Sequence, residues 1–145
     1  MEVTWVKEGE ARTDIISNQS LSVGQLVYLA GFFDGEGSVG LYYQKAEKAW
    51  VPKLSITQNT SKHVVRLFRL WADVFGGRVC VSSRKQISYV YLGRRASLMA
   101  FIQYVGPYCV GKKQQLIVLE NWLMTREYSY RTAQILKALK RNEHG

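Results

Sequence analysis

Apolar positions first recur at a helical spacing near the start of the chain, at Leu26, Leu29, Ala30 and Phe33, which predicts a helix with one buried face. Ser22 stands where an N-cap belongs, its hydroxyl able to accept a first-turn N–H. Gly31 and Gly35 lie four apart, on one side of that helix, where a missing side chain lets another backbone approach. After Phe33 the pattern stops, and two acids follow, Asp34 and Glu36, each beside a glycine. The period then changes to two. Val39, Leu41 and Tyr43 alternate with Gly40, Tyr42 and Gln44; Lys45 to Lys48 make a polar turn; Trp50, Pro52, Leu54 and Ile56 alternate with Val51, Lys53, Ser55 and Thr57. Thr60 or Ser61 caps a second helix, whose stripe is Val64, Val65, Leu67, Phe68, Trp71, Ala72 and Phe75 and whose stop is Gly76-Gly77.

A second hairpin follows, with Val79 and Val81 on one face and Arg78, Cys80, Ser82 and Arg84 on the other, turning near Arg84 to Gln86 and returning over Ile87 to Leu92. Arg94 to Tyr104 reads as a third helix, with Leu98, Phe101 and Ile102 inward and Gly106-Pro107 as its stop. Lys113 to about Met124 and Tyr128 to Lys140 read as two more helices. Strands that come in adjacent pairs argue for an α+β fold with an antiparallel sheet. Residues 1–20 show little periodicity and read as a loosely attached arm, although Val3, Trp5 and Val6 have something to bury; residues 21–145 read as one domain.

Composition narrows the class. Apolar residues are 47% of the chain and aromatics 12%, so a packed core is expected rather than disorder. The formal net charge is +9, which favours a polyanionic partner, nucleic acid before an anionic membrane. No apolar run has the length of a membrane span, and the first residues show no basic-then-apolar signal, so the membrane reading lacks support. Cys80 and Cys109 have neither metal-site spacing nor a disulfide framework and are expected to be reduced thiols in an intracellular setting. His63 and His144 are too few and too far apart for a zinc site.

A carboxylate at a helix C-terminus faces the negative end of the macrodipole, and glycines weaken the last turn. The acidic ending is therefore either a solvated helix cap or a device that delivers a carboxylate and a bare carbonyl to a divalent metal. Mg²⁺ is often held by one or two carboxylates plus substrate phosphates. The ten residues Tyr28 to Gly37, YLAGFFDGEG, closely resemble the signature of the LAGLIDADG homing endonucleases: apolar, Ala-Gly, two apolar, acid, small, acid, Gly. That likeness favours the metal reading.

The resemblance extends over roughly residues 24–124, because the α-β-β-α-β-β-α order is also that family's, with a four-stranded antiparallel sheet forming a DNA-binding saddle. It implies that Glu36 is the metal ligand, where the family usually has Asp, and that Gly35 lends its carbonyl. It implies Mg²⁺ (or Mn²⁺) as cofactor and double-stranded DNA as partner. Gln58 and Lys62 match the family's glutamine and the basic residue four positions on, and Lys112, with Lys113 as neighbour, matches its basic residue after a Pro-containing stop. The four residues Glu36, Gln58, Lys62 and Lys112 are thus the expected catalytic set. Only one copy of the motif is present, which implies a homodimer paired through the motif helix, with Leu26, Ala30, Gly31, Phe33, Asp34 and Gly35 as the expected interface, Asp34 having helix capping as its other expected role. Each subunit would cut one strand, leaving 3′ overhangs.

On the alternation above, the sheet face toward the major groove comprises Gly40, Tyr42, Gln44, Val51, Lys53, Ser55, Arg78, Cys80, Ser82, Arg84, Ser88 and Val90. Gln44 suits adenine, and Arg78 or Arg84 suits guanine. The sequence leaves two rivals on the same fold: an intron maturase that binds RNA, and a catalytically inactive DNA-binding protein. A maturase would need a basic surface away from the sheet, for which Arg126, Arg131, Lys137, Lys140 and Arg141 are candidates, though a solvated helix face has the same look. The host compartment, whether organelle, bacterium or phage, is not encoded in these patterns, and neither is the target sequence.

Overall fold

A computed structural model describes Trp5–Val6, Thr13–Asp14 and residues 21–144. The arm expected over 1–20 lies outside the described residues except for two dipeptide strands, β1 (Trp5–Val6) and β2 (Thr13–Asp14), which pair antiparallel. The main body runs α1 (Val23–Glu36), β3 (Gly37–Gln44), β4 (Ala49–Asn59), α2 (Lys62–Phe75), β5 (Arg78–Ser82), β6 (Ile87–Leu92), α3 (Arg95–Tyr104), a 3-10 turn (Gly106–Tyr108), α4 (Lys113–Thr125) and α5 (Ser129–His144). This is the α-β-β-α-β-β-α order with two further helices, and the predicted elements are all present.

Local chemistry explains the boundaries. Ser22 is the N-cap of α1: its Oγ accepts the Gln25 N–H at 3.1 Å, and the Gln25 Oε1 accepts the Ser22 N–H at 2.9 Å. This reciprocal box satisfies two groups that a helix start leaves orphaned. Ser61 caps α2 with a single bond, its Oγ accepting the Val64 N–H at 3.1 Å. At its other end α1 has no loop. Gly37 is both its C-cap and the first residue of β3. A Cβ there would stand 2.3 Å from the Phe33 ring and 2.5 Å from the Phe33 carbonyl, so only glycine lets the helix pass straight into the strand.

The four long strands form one antiparallel sheet in the order β3-β4-β6-β5. Gly37 pairs with Ile56 and Gln44 with Ala49 across β3 and β4; Leu54 pairs with Leu92 and Asn59 with Ile87 across β4 and β6; Arg78 pairs with Tyr91 across β5 and β6. Pro52 pairs with Leu41 at a point where β4 has run past the end of β6, an edge position where a residue without an N–H is tolerated.

One face of this sheet is the floor of the core. Val39, Leu41, Leu54, Ile56, Val90 and Leu92 are all buried on it. Above them lie Leu26, Leu29, Ala30 and Phe33 of α1, Phe68, Trp71, Val74 and Phe75 of α2, and Leu98 and Phe101 of α3. Edge-to-face ring contacts knit the helices together: Phe33 and Phe75 both meet Phe101, at centroid distances of 5.0 and 5.4 Å, and Phe32 meets Trp71 at 5.5 Å. α4 adds Leu116, Leu119, Trp122 and Leu123, and α5 adds Ala133 and Leu136. Among the described residues, no helix covers the opposite sheet face.

Candidate active site and nucleic-acid interface

The end of α1 is held by a clasp. The Asp34 carboxylate accepts two backbone N–H groups from the loop before α4, Val110 at 2.7 Å and Lys112 at 2.9 Å. In return the Lys112 Nζ donates to the Asp34 carbonyl at 3.1 Å. That carbonyl belongs to the last turn of α1, where helix acceptors lack intrahelical partners, and an ammonium there also offsets the negative end of the dipole. Asp34 therefore binds α1 to the loop at 110–112. Of its two expected roles, capping and dimer contact, it performs the first, for a neighbouring loop. Nearby Cys109 is buried, and burial, with Asp34 as the next cause, pushes its thiol from 9.0 up to about 12.

The clasp leaves Gly35 and Glu36 exposed at the tip of the helix. Among the described residues no group of three or more His, Cys, Asp or Glu side chains converges on one point. One chain thus offers a single carboxylate, Glu36, and the nearby Gly35 carbonyl. These are hard oxygen donors, which fit Mg²⁺, Mn²⁺ or Ca²⁺ rather than a thiophilic metal, and the set is incomplete without water or phosphate oxygens.

The other expected catalytic residues lie on β4, at the start of α2 and in the loop before α4. β4 runs three residues beyond the Gly37–Ile56 pair, so Thr57 to Asn59 pass the helix end. Gln58 is half-buried there, with its Oε1 accepting the Asn59 N–H at 2.9 Å. Lys62 is exposed at the first residue of α2, beside a cleft lined also by Arg66 and Arg69. Lys112 departs from expectation. It is 3% exposed and its ammonium is engaged with the Asp34 carbonyl, so it stands behind the helix end instead of facing solvent.

On the uncovered sheet face, cross-strand partners share a side. Ser38 with Ser55, Gly40 with Lys53, Tyr42 with Val51 and Gln44 with Ala49 fall together. Across β6 the same face continues with Tyr91, Tyr89 and Ile87, and across β5 with Arg78, Cys80 and Ser82. Arg84 is exposed in the β5–β6 turn. Ser88 and Val90 do not belong to this face. Val90 pairs with Ile56 and Ser88 with Gln58, and they are 5% and 0% exposed, with Ser88 hydrogen-bonded to the Thr60 hydroxyl at 2.9 Å. The expectation slipped by one residue on β6, which moves every side chain to the other side. The aliphatic pair Val90 and Leu92 was the signal that fixes the correct phase. Gly40 is on the uncovered face but is itself buried, because the Tyr42 ring lies over it; an added Cβ would meet that ring at 2.2 to 2.4 Å.

The face is polar, aromatic and cationic. Its four strands contain no Asp or Glu, and Lys53 and Arg78 supply positive charge. The Lys53 Nζ lies 4.9 Å from the Tyr91 ring centroid and 5.8 Å from that of Tyr89. Those rings stack on each other at 5.9 Å and 29°. The side chain of its cross-strand partner Cys80 is the main cause that pushes the Tyr89 pKa up.

The exposed side of α1 also differs from expectation. Leu26, Ala30 and Phe33 are 1%, 0% and 1% exposed within their own chain's core and have nothing left to offer a partner. The outward arc is Gly24, Val27, Tyr28, Gly31 and Gly35, with Val27 48% and Tyr28 53% exposed. A Cβ on Gly31 or Gly35 would meet nothing within 4 Å. These five positions fall within about 100° of one another on a helix of 3.6 residues per turn. They form an apolar strip with a flat, glycine-lined centre.

No family model matches this chain, and no curated protein matches it. Solved structures do. The chain is similar to the homing endonuclease I-CvuI in complex with its target in the presence of calcium, with a TM-score of 0.65 and 18% identity, covering 79% of this chain and 81% of that one. It is similar to the homing endonuclease I-TnaI, with a TM-score of 0.57 and 16% identity, covering 86% of this chain and 99% of that one. A third match is the LAGLIDADG meganuclease I-CpaMI bound to uncleaved DNA, with a TM-score of 0.59 and 15% identity, covering 81% of this chain but 42% of that one. At these identities the likeness is one of architecture, and the fold of this chain is that of the LAGLIDADG homing endonucleases.

Proposed function

We propose that this protein is a homodimeric, site-specific homing endonuclease that makes a divalent-metal-dependent double-strand break in a long, pseudo-palindromic DNA target. The observation that carries this reading is the junction at Glu36. The YLAGFFDGEG segment ends as a clasped helix whose exposed terminal carboxylate passes, without a loop, into the first strand of an open cationic sheet face. The major groove admits β-strands, so the acid would stand beside the backbone of a duplex seated on this face.

Two chains paired through the Gly24, Val27, Tyr28, Gly31 and Gly35 strip would bring both Glu36 carboxylates to a two-fold axis, one for each DNA strand. Glu36 and the Gly35 carbonyl would hold Mg²⁺ or Mn²⁺. When bound, that ion would polarise the scissile phosphate and lower the pKa of an attacking water. Gln58 would orient water from the end of β4, and exposed Lys62 would hold phosphate charge. Lys112 would act from behind, fixing the helix end. Cuts one per subunit would leave 3′ overhangs.

The test is to incubate the purified protein with Mg²⁺ and a library of long randomised duplexes, and to sequence the ends of whatever is cut. A single pseudo-palindromic site with staggered 3′ ends is expected, with two chains per duplex by sedimentation. Glu36→Gln should abolish cutting while duplex binding survives. Cutting at the wild-type rate by that variant, or a lone chain on the cleaved site, would sink the paired-acid mechanism.

A further inference from the structure

We propose that Lys53 is a guanine-reading residue of the uncovered sheet face, and that Tyr91 and Tyr89 are the positioning residues that aim it. The inference rests on the nuclease reading above and deepens it by assigning a base preference to one side chain.

The argument begins with position. Lys53 lies on β4, which has β3 on one side and β6 on the other. An edge-strand cation such as Arg78 on β5 is placed to reach phosphates, whereas a cation on an inner strand stands over the floor of the groove, where base edges are. Its cross-strand partner is Gly40, whose place on this face is taken by the Tyr42 ring, which leaves no second cation beside Lys53 on β3. Its neighbours across β4–β6 are the stacked rings of Tyr91 and Tyr89, with the ammonium 4.9 and 5.8 Å from their centroids.

Those rings change what the lysine can do. A free lysine carries rotamer entropy that must be surrendered on binding. Attraction between the ammonium and the ring faces restrains it in advance. The rings are themselves braced by stacking on each other. Among the described residues Lys53 makes no ion pair with a carboxylate. Its ammonium is therefore restrained without being neutralised.

An ammonium only donates hydrogen bonds, so it needs acceptors. In the major groove, guanine presents two adjacent acceptors, N7 and O6. Adenine sets an amino donor beside its N7, cytosine presents a donor, and thymine flanks its single acceptor with a methyl group. Of the four bases, guanine alone offers this restrained ammonium two acceptors and no opposing donor. The expected consequence is one guanine per half-site that depends on Lys53.

The experiment is selection of randomised duplexes by binding in Ca²⁺, with wild-type protein, Lys53→Met, Lys53→Arg and Tyr91→Ala in parallel, each checked for the wild-type circular dichroism spectrum. Wild type should enrich one guanine in each half-site. Lys53→Met should lose that preference by about tenfold with the other positions unchanged, the discrimination expected of one good base contact. Lys53→Arg should keep it, and Tyr91→Ala should weaken it. An unchanged profile for Lys53→Met, or binding weakened equally at every position as for a phosphate contact, overturns the inference while leaving the nuclease reading intact. Failure of the wild-type protein to enrich any sequence overturns both.

Discussion

The two working regions of this molecule are built on opposite principles. At the end of α1, position is enforced from inside: the Asp34 carboxylate takes two backbone N–H groups, Lys112 is buried at 3% exposure, and its ammonium returns to the Asp34 carbonyl. On the uncovered sheet face, position is enforced from the surface, by ring stacking, a cation over those rings and the period-two pleat. Charged hydrogen bonds in a partly buried setting are strong and geometrically strict. Ring contacts and solvated cations are weaker and more forgiving. The difference suits the division of labour proposed here, because a metal ligand must be placed within a fraction of an ångström whereas a recognition face must adapt to a long, deformable duplex.

That contrast is open to direct attack. The largest expected effect lies at the clasp. Asp34→Ala removes both loop hydrogen bonds and should cost about 2 kcal/mol of stability in urea unfolding, with Asp34→Asn intermediate, since an amide oxygen replaces one charged acceptor. A loss under about 0.5 kcal/mol would mean that the clasp does not hold the helix end, because that is the ordinary scatter of surface substitutions. Arg78→Ala on edge strand β5 should do the reverse: stability within about 0.5 kcal/mol of wild type, but a slope of log binding constant against log salt shallower by about one. An unchanged slope would remove Arg78 from the phosphate contacts.

At neutral pH the smallest effect is the one that appears only in the alkaline range, a pH dependence belonging to the clasp side. The Cys109 thiol is held neutral in the folded chain up to about 12, against 9.0 ordinarily. Between those values the unfolded chain has released a proton that the folded chain keeps, so the thiol's contribution is fully present below 9 and declines as pH rises toward 12. Melting temperature should therefore fall across that alkaline range, and Cys109→Ala should flatten the fall. Parallel curves for the two proteins would show that the burial of this thiol has no energetic weight.

Much of the architecture was legible because local rules agreed with one another. Ser22 announced the start of α1 and the Thr60-Ser61 pair that of α2, Gly76-Gly77 announced the stop of α2, and aliphatic alternation over Val39 to Ile56 assigned the first hairpin's covered face. The acidic helix end was legible as a motif, and its exposure at Gly35 and Glu36 follows from the same helix. Less was legible where neighbours decide. On β6, Ile87 to Leu92 has a plausible residue on either side at each step, and Ser88 and Val90 were read onto the wrong one. The Val27 and Tyr28 strip was missed because the apolar positions of α1 exceed what one face can bury, and spacing alone does not say which set meets its own core.

The sequence by itself determined the order of elements, the antiparallel pairing class, the cationic character of the molecule and the identity of the acidic helix end. These depend on periodicity, capping and charge, which are properties of short stretches. Only the tertiary structure decided three things: that Tyr89 and Tyr91 rather than Ser88 and Val90 share a face with Lys53, that Leu26, Ala30 and Phe33 are spent within their own core so that Val27 and Tyr28 flank the open Gly31 and Gly35, and that Lys112 is drawn under the helix by Asp34. The reason is common to all three. A strand's alternation leaves its phase free until a neighbouring strand sets the register, a helix with apolar residues on two sides chooses its buried side by what packs against it, and a partner 78 residues distant has no trace in local pattern.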